Sequence, residues 1–279
     1  MRRCPPPDRS LGWRRRRRQR GRGVRINLNA DMGEGYGAYD IGADAELLEI
    51  VTSANIACGM HGGDPGIMRR TARMAAERGV SIGAHPGFAD LQGFGRRRIA
   101  MDAAALEDLV AYQIGAMAAM AAAAGARVTH VKAHGALNNM ACVDEAYALA
   151  VARAIKAVDA ALIHLVMPGT EMERATERLG LPLAREAFAD RSYEADGTLT
   201  PRGAEGAVIR DPEAAAARVV EMVRDGVIRA RGGEALALRF DSLCVHGDEP
   251  TAVAVARAAR AALEAEGARL VTLPEMLAG

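Results

Sequence analysis

Five of the six histidines, His61, His85, His130, His134 and His246, stand in or just beyond the ends of short apolar runs, and four have a glycine beside them or one residue away. Imidazole exchanges protons near neutral pH and is the commonest metal ligand. Taken singly, each is better explained as a surface or satisfied buried imidazole; five at one class of position need a common cause. His164, in the middle of "ALIHLV", is read as structural. In "VTHVKAHGAL" a period of two puts His130, Lys132 and His134 on one face. Only two of the 36 basic residues are lysines, so Lys132 stands out in a chain that otherwise uses arginine. An ammonium shifts its pKa when buried and acts as a compact charge on phosphate or carboxylate, which arginine imitates poorly. Lys156 falls in a helical pattern and is expected in solvent.

Carboxylates follow the same placement. If "INLNADMGEGYG" is extended, Asn27, Asn29 and Asp31 share a face, and Glu34 follows in a glycine loop. Paired carboxylates beside mobile backbone can bind a cation or share acid–base work. The G-x-G-x-G spacing is not the dinucleotide fingerprint, and its glycines also suit plain turns. "GAHPGFADLQGFGRRR" adds Asp90 and Arg96 to Arg98, "REAFADRSY" adds Glu186, Asp190 and Arg191, and "CVHGDEP" adds His246 and Asp248. Arginines at such a mouth can hold a carboxylate or phosphate bidentately; for Arg97 and Arg98 a solvated loop explains the charge equally well.

These residues need a scaffold that brings strand ends together. Strands are expected at Val24–Ala30, Asn55–Cys58, Val80–Ala84, Arg127–Ala133, Ala161–Met167, Pro182–Ala187 and Ala235–Val245, the last one open to a break, with "ARLVTL" as a further candidate. Between them lie helical patterns opened by Asp44, Asp64-Pro65, Asp102, Asp144, Thr170, Asp211-Pro212 and Asp248 with Pro250, side chains able to cap free N–H groups; Gly79, Gly125 and Gly180 mark ends. Seven such units predict an α/β fold with a mostly parallel sheet and helices outside, barrel-like or doubly wound. In either form ligands bind at the carboxyl ends of the strands, where the histidines gather. The glycine- and charge-rich segment from Phe188 to Gly206 is long for a connection and is expected to be a functional arm or a subunit contact.

Composition narrows the classes. The length of 279 residues suits one large α/β core. Residues 1–23 carry ten arginines and one aspartate; without them 26 basic face 34 acidic residues, a net of −8. An acidic folded part, residues 24–279 as a single domain, argues against nucleic-acid binding. The arginine-rich head has no periodicity and no signal-type apolar run, so disorder is expected there, with an acidic-partner or nucleic-acid tail as the alternative. No run is long enough for a membrane span. The four scattered cysteines fit reduced thiols and a cytoplasmic location. Walker A, H-E-x-x-H and G-x-S-x-G signatures are missing, so any ATP site is unorthodox or lies partly on another chain.

The pieces "NLNADMGEGYG", "NIACGMHGGDP", "GAHPGFADLQGFGRR", "HVKAHGALNN", "EAFADRSYEADGTLTPR" and "CVHGDEP", in order from about Ile26 to Pro250, resemble the LamB/YcsF family, A subunits of bacterial 5-oxoprolinase. The family usually has proline and tyrosine where this chain has Ala133 and Asn138, and asparagine in place of Glu249. The resemblance implies a seven-stranded (β/α) barrel of the deacetylase type. It also implies ATP-dependent opening of the lactam 5-oxo-L-proline to L-glutamate, with partner subunits B and C and a divalent metal such as Mg²⁺ accompanying ATP. An unstrained lactam resists hydrolysis, and phosphorylating its amide oxygen makes a better electrophile. On that basis Lys132 is the phosphate or oxyanion cation, Asp31 or Glu34 a metal ligand or base, and His61 and His134 acid–base or ligand groups. Asn29, Asn55, His85, Arg96, His246 and Asp248 are expected to position substrate. A metal-dependent deacetylase or amidohydrolase that needs no ATP, and a noncatalytic binding subunit, remain open as rival readings.

Overall fold

The computed structural model describes residues 24–247 and 250–278. The basic head and Asp248, with the substrate and helix-opening roles expected of it, lie outside the described residues.

Seven parallel strands close on themselves: β1 (Arg25–Met32), β2 (Ser53–Ala57), β3 (Ser81–His85), β4 (Val128–Val131), β5 (Ile163–Val166), β6 (Leu183–Phe188) and β9 (Ser242–Val245), with β9 pairing both β6 and β1. The barrel alternative therefore holds and the open sheet does not. β7 (Ile228–Arg229) and β8 (Ala235–Leu236) form a separate antiparallel hairpin, and β10 (Arg269–Leu270) extends the sheet beside the start of β1. The run Ala235–Val245 is thus broken in two. Its middle turns away because Asp241 is used as a junction: its N–H goes to the Arg185 carbonyl, its own carbonyl receives Asn27 N–H, and its carboxylate receives Arg185 N–H.

The period-two alternation of β1 fixes what lies on each side of the wall. Ile26, Leu28, Ala30 and Met32 face outward into one continuous core with Ile56, Ile82, Val131, Leu243 and the apolar stripes of the surrounding helices. Asn27, Asn29 and Asp31 face the barrel interior. Their neighbours there are Ser53, Asn55, Ser81, Ser242 and Cys244 in register on β2, β3 and β9. That interior is largely polar, which is why β2 begins at Ser53, earlier than the apolar pattern predicts: Ser53 Oγ accepts from Asn27 Nδ2 (2.7 Å) and pairs with Ser81 Oγ (2.6 Å). A small apolar cluster of Ile163, Leu165, Ala184 and Leu273 is set apart from the outer core.

Asp64, Asp102, Asp144, Thr170 and Asp211 cap the helices they open, and Gly180 ends one in the left-handed conformation. Asp44 does not cap. It lies inside its short helix, and its carboxylate instead accepts from Gly33 N–H (2.9 Å) and Thr71 Oγ1 (3.2 Å), anchoring the loop after β1. His164 points outward, its Nδ1 2.7 Å from Thr176 Oγ1 on the helix Glu171–Leu179. No helix among the described residues is long and apolar enough to cross a membrane.

Candidate functional site

At the carboxyl end of the barrel a cavity of about 250 Å³ is lined by Asp31, Glu34, His85, Arg96, Lys132, His134 and His246, among others. These seven, all singled out in sequence, line the same cavity together with Arg191. They arrive from several strand ends: Asp31 and Glu34 from β1, His85 from β3, Lys132 and His134 from β4, His246 from β9. The loops between must pass each other closely. A side chain at Gly62 would meet the Glu34 carbonyl at 2.7 Å, and one at Gly95, whose φ is +63°, would meet His61 Cβ at 2.6 Å. Close approach of the loops thus requires glycine at Gly62 and Gly95.

Lys132 is the hub. Its Nζ donates to Asp31 Oδ1 (2.9 Å) and Cys244 Sγ (3.0 Å) and lies 3.0 Å from Glu186 Oε1. The last approach is an ion-pair distance only, since Glu186 Oε1 has no hydrogen-bond partner among the described residues. Burial alone would lower the lysine pKa, but Asp31, Cys244 and Glu186 outweigh it and hold the ammonium well above its ordinary value. For Asp31 burial works upward, and His85 and Lys132 reverse it, keeping the carboxyl well below the usual range. Glu186 stays raised because burial exceeds the pull of Lys132, and burial pushes the Cys244 thiol well up. Asp31, Cys244 and His246 also converge closely enough to suggest a metal, but the lysine ammonium already bridges Asp31 and Cys244.

Beside this hub sits an imidazole cluster. His61 stacks on His134 with ring centroids 3.6 Å apart, and His85 meets both edge-on. Glu34 Oε1 is 3.2 Å from both His61 Nε2 and His134 Nδ1. Burial, with His134 next, pushes His61 down to about 3. Burial also lowers His134, against the contrary pull of Glu34. Burial depresses His85 too, yet Asp31, with its Oδ2 3.2 Å away, more than offsets it and leaves that pKa raised. His61 lies behind Glu34 and His134 and is not part of the cavity wall.

Two expected substrate-positioning residues sit elsewhere. Asn29 and Asn55 are fully buried beneath the cavity floor. Asn55 Nδ2 donates to Asn29 Oδ1 (2.7 Å) and Asp31 Oδ1 (2.9 Å), and its Oδ1 faces His130 Nε2 at 3.0 Å. They orient Asp31 and cannot touch a ligand in the cavity, because the amide groups are spent on one another in the interior. Arg97 is exposed and chelates Asp90, so its charge is a loop contact. Asp190 accepts from His246 N–H (2.8 Å) and faces its Nδ1 (3.0 Å), fixing that ring.

Sequence reasoning missed Phe94, Cys244, Thr200 and Arg202. Phe94 takes φ +53° and turns its carbonyl to His134 Nε2 (2.8 Å). Thr200 and Arg202 belong to the long arm after β6, which folds over the cavity: Arg191, buried, donates to the Thr200 (2.6 Å) and Ala207 (3.1 Å) carbonyls. The arm therefore forms part of the cavity wall. A signal existed, since Arg202 closes the block "EAFADRSYEADGTLTPR".

Fold and site define a seven-stranded parallel (β/α) barrel with a small polar cavity at its strand ends, built around a buried lysine, two carboxylates and clustered imidazoles. The chain belongs to the LamB/YcsF family, whose model matches residues 26–278. It is 56% identical over 238 residues to a Rhodopseudomonas palustris (strain BisB18) protein named as the A subunit of 5-oxoprolinase, covering 85% of this chain and 93% of that one. A Heliobacterium modesticaldum protein of the same name is 52% identical, with 85% and 93% covered. The crystal structure of a lactam utilization protein from Thermus thermophilus superimposes with a TM-score of 0.85 at 46% identity, covering 90% of this chain and all of the other.

Proposed function

We propose that this chain is the lactam-opening A subunit of a cytoplasmic 5-oxoprolinase complex, converting 5-oxo-L-proline to L-glutamate at the expense of ATP together with subunits B and C. The observation that carries the reading is the convergence of Lys132, Asp31, Glu34 and His134 on one cavity of about 250 Å³. That size, below the about 300–1,000 Å³ of a drug-sized ligand pocket, suits a five-membered lactam. Family membership and the names of relatives at 52 to 56% identity point the same way.

Each step of ring opening has a group in place. Water attacking the lactam carbon drives charge onto the amide oxygen, or onto a phosphoryl group attached to it, and the Lys132 ammonium is a preorganised cation for that charge. Asp31 and Glu34, aligned by Asn55 and His61, and the uncharged imidazole of His134 lie on the same wall and serve the proton transfers from water and to the leaving nitrogen. Arg96 and Arg202, which line the cavity, match the substrate carboxylate or a phosphoryl group. ATP, with Mg²⁺ as its partner ion, belongs to this reading as the co-substrate of the assembled complex; the small cavity favours a nucleotide site shared with, or held by, the other subunits.

The test is a coupled ATPase and glutamate-release assay with 5-oxoproline, run on this chain alone and mixed with subunits B and C. ATP hydrolysis and glutamate release are expected together, and only in the mixture. Glutamate release that survives removal of nucleotide would overturn the ATP-dependent reading. Unchanged turnover at saturating substrate in the assembled complex carrying Lys132→Ala would make the chain a binding subunit.

A further inference from the structure

We propose that Glu34, His85 and His134 form a binding site for one divalent transition-metal ion, with His61 orienting the carboxylate. The assignment rests on tautomers. His85 Nδ1 is 2.8 Å from the Lys132 carbonyl oxygen, and His134 Nε2 is 2.8 Å from the Phe94 carbonyl oxygen. A carbonyl only accepts, so both of those nitrogens carry protons. With a metal bound each ring is uncharged and its lone pair is on the other nitrogen; these two, His85 Nε2 and His134 Nδ1, face each other at 3.1 Å, and His85 Nε2 also lies 3.2 Å from Asp31 Oδ2. Glu34 Oε1 is the third electron-rich atom, 3.2 Å from His134 Nδ1. Three electron-rich atoms gathered this closely repel unless a cation stands among them.

The arrangement has the form of a metal site. An imidazole whose far N–H is held by a backbone carbonyl is the usual supported metal ligand. Separations of 3.1 to 3.2 Å match neighbouring vertices of a coordination shell with bonds of about 2.1 Å. The ligand atoms of Glu34, His61, His85 and His134 all lie within 4.8 Å of one another. His61 is parallel to His134 at 6°, so the in-plane lone pairs of the two rings do not meet at one point, and the Nε2 of His61 is better spent donating to Glu34 Oε1 (3.2 Å). Two imidazoles and one carboxylate favour Zn²⁺, Co²⁺, Ni²⁺ or Fe²⁺ over Mg²⁺, which takes oxygen ligands. Glu34, His85 and His134 also line the cavity, so an ion held there is within reach of bound substrate. The rival account is a proton on His85 shared with His134 and Asp31; it leaves His134 Nδ1 and Glu34 Oε1 opposed.

The inference does not depend on the lactam reading, and its test uses no activity. The full-length chain, stripped with chelator and dialysed, is titrated with Co²⁺ alone and followed by visible absorption, then reconstituted with Zn²⁺ and analysed for metal content. One ion per chain and ligand-field bands are expected. Glu34→Gln and His134→Gln, checked for folding by circular dichroism, should abolish the bands; His61→Gln should weaken binding by about 10–100-fold; His246→Gln should leave the stoichiometry unchanged. Absence of bands and of retained metal in the wild-type chain would establish the proton-only site and sink the proposal without touching the proposed reaction. Bands that persist in folded Glu34→Gln and His134→Gln would sink it as well.

Discussion

Lys132→Met isolates the hub of the site. The side chain is 5% exposed, with two buried carboxylates at 2.9 and 3.0 Å from its ammonium. Methionine keeps the stem and loses the charge, leaving Asp31 and Glu186 with His85 and His246 as the nearby compensating groups. Breaking a buried ion pair on one side costs about 3–5 kcal/mol. Part of that is recovered when Glu186, already raised by burial, takes up a proton, so a net loss of about 3 kcal/mol is expected. Urea unfolding at neutral pH, followed by circular dichroism, measures it. Lys132→Met combined with Glu186→Gln removes one orphaned charge and should regain more than about 1 kcal/mol as a coupling energy. On the proposed reaction, in which Lys132 is the cation for the developing oxyanion, both variants should lower turnover of the assembled complex by at least about 100-fold. A Lys132→Met protein within about 0.5 kcal/mol of the parent, or a double variant whose loss is the sum of the singles, would refute the picture of a lysine neutralising two buried carboxylates.

Three further outcomes are expected. Burial pushes His164 down to about 3, against about 6.5 in an unfolded chain; the unfolded state therefore binds a proton that the folded state refuses, and stability is full above that upper value and falls as the pH drops towards the lower. The loss at pH 5 is about 2 kcal/mol, and His164→Gln should flatten the pH dependence of unfolding by that amount; equal slopes in both proteins would exclude this residue as the source. Gly83→Ala should cost about 1–3 kcal/mol in a thermal melt, because the added methyl group would fall on His130 and push it off Asn55; an unchanged melting temperature would mean that His130 has room to move. Arg191→Lys cannot reach both arm carbonyls, so limited proteolysis between residues 194 and 206 should quicken and KM for 5-oxoproline should rise more than kcat falls; unaltered cleavage would show that the arm is held by other contacts.

The class of fold and part of the cavity lining were legible in the sequence because both are written in local patterns. Alternating apolar runs and capped helices specify strand–helix units, and parallel strands joined by helices leave their carboxyl ends on one side. The single lysine in a strand pattern, and histidines at strand ends, therefore marked one rim. What local pattern could not mark was depth. Asn55 is expected to open a strand and His85 to follow one, and both to position substrate, yet one is sealed beneath the floor and the other lines the cavity, because Asn55 pairs with Gly83 and so lies two residues, one layer, below His85. The carboxylate of Asp44 was similarly misleading, since a helix-opening position describes a cap as well as a tether to Gly33.

By itself the sequence determined which segments become strands and helices and which rare side chains end up at the rim, through periodicities that act over a few residues. Only the tertiary structure decided that the sheet closes, with β1 receiving β9 across 213 residues from Asn29 to Ser242, and that Lys132 meets Asp31 across 101. It also decided which ring nitrogen of His85 and of His134 faces a backbone carbonyl, the Lys132 and Phe94 carbonyls respectively. Such pairings are fixed by the register of distant strands and by the shared cost of leaving buried polar groups unmatched, quantities that no short window of residues contains.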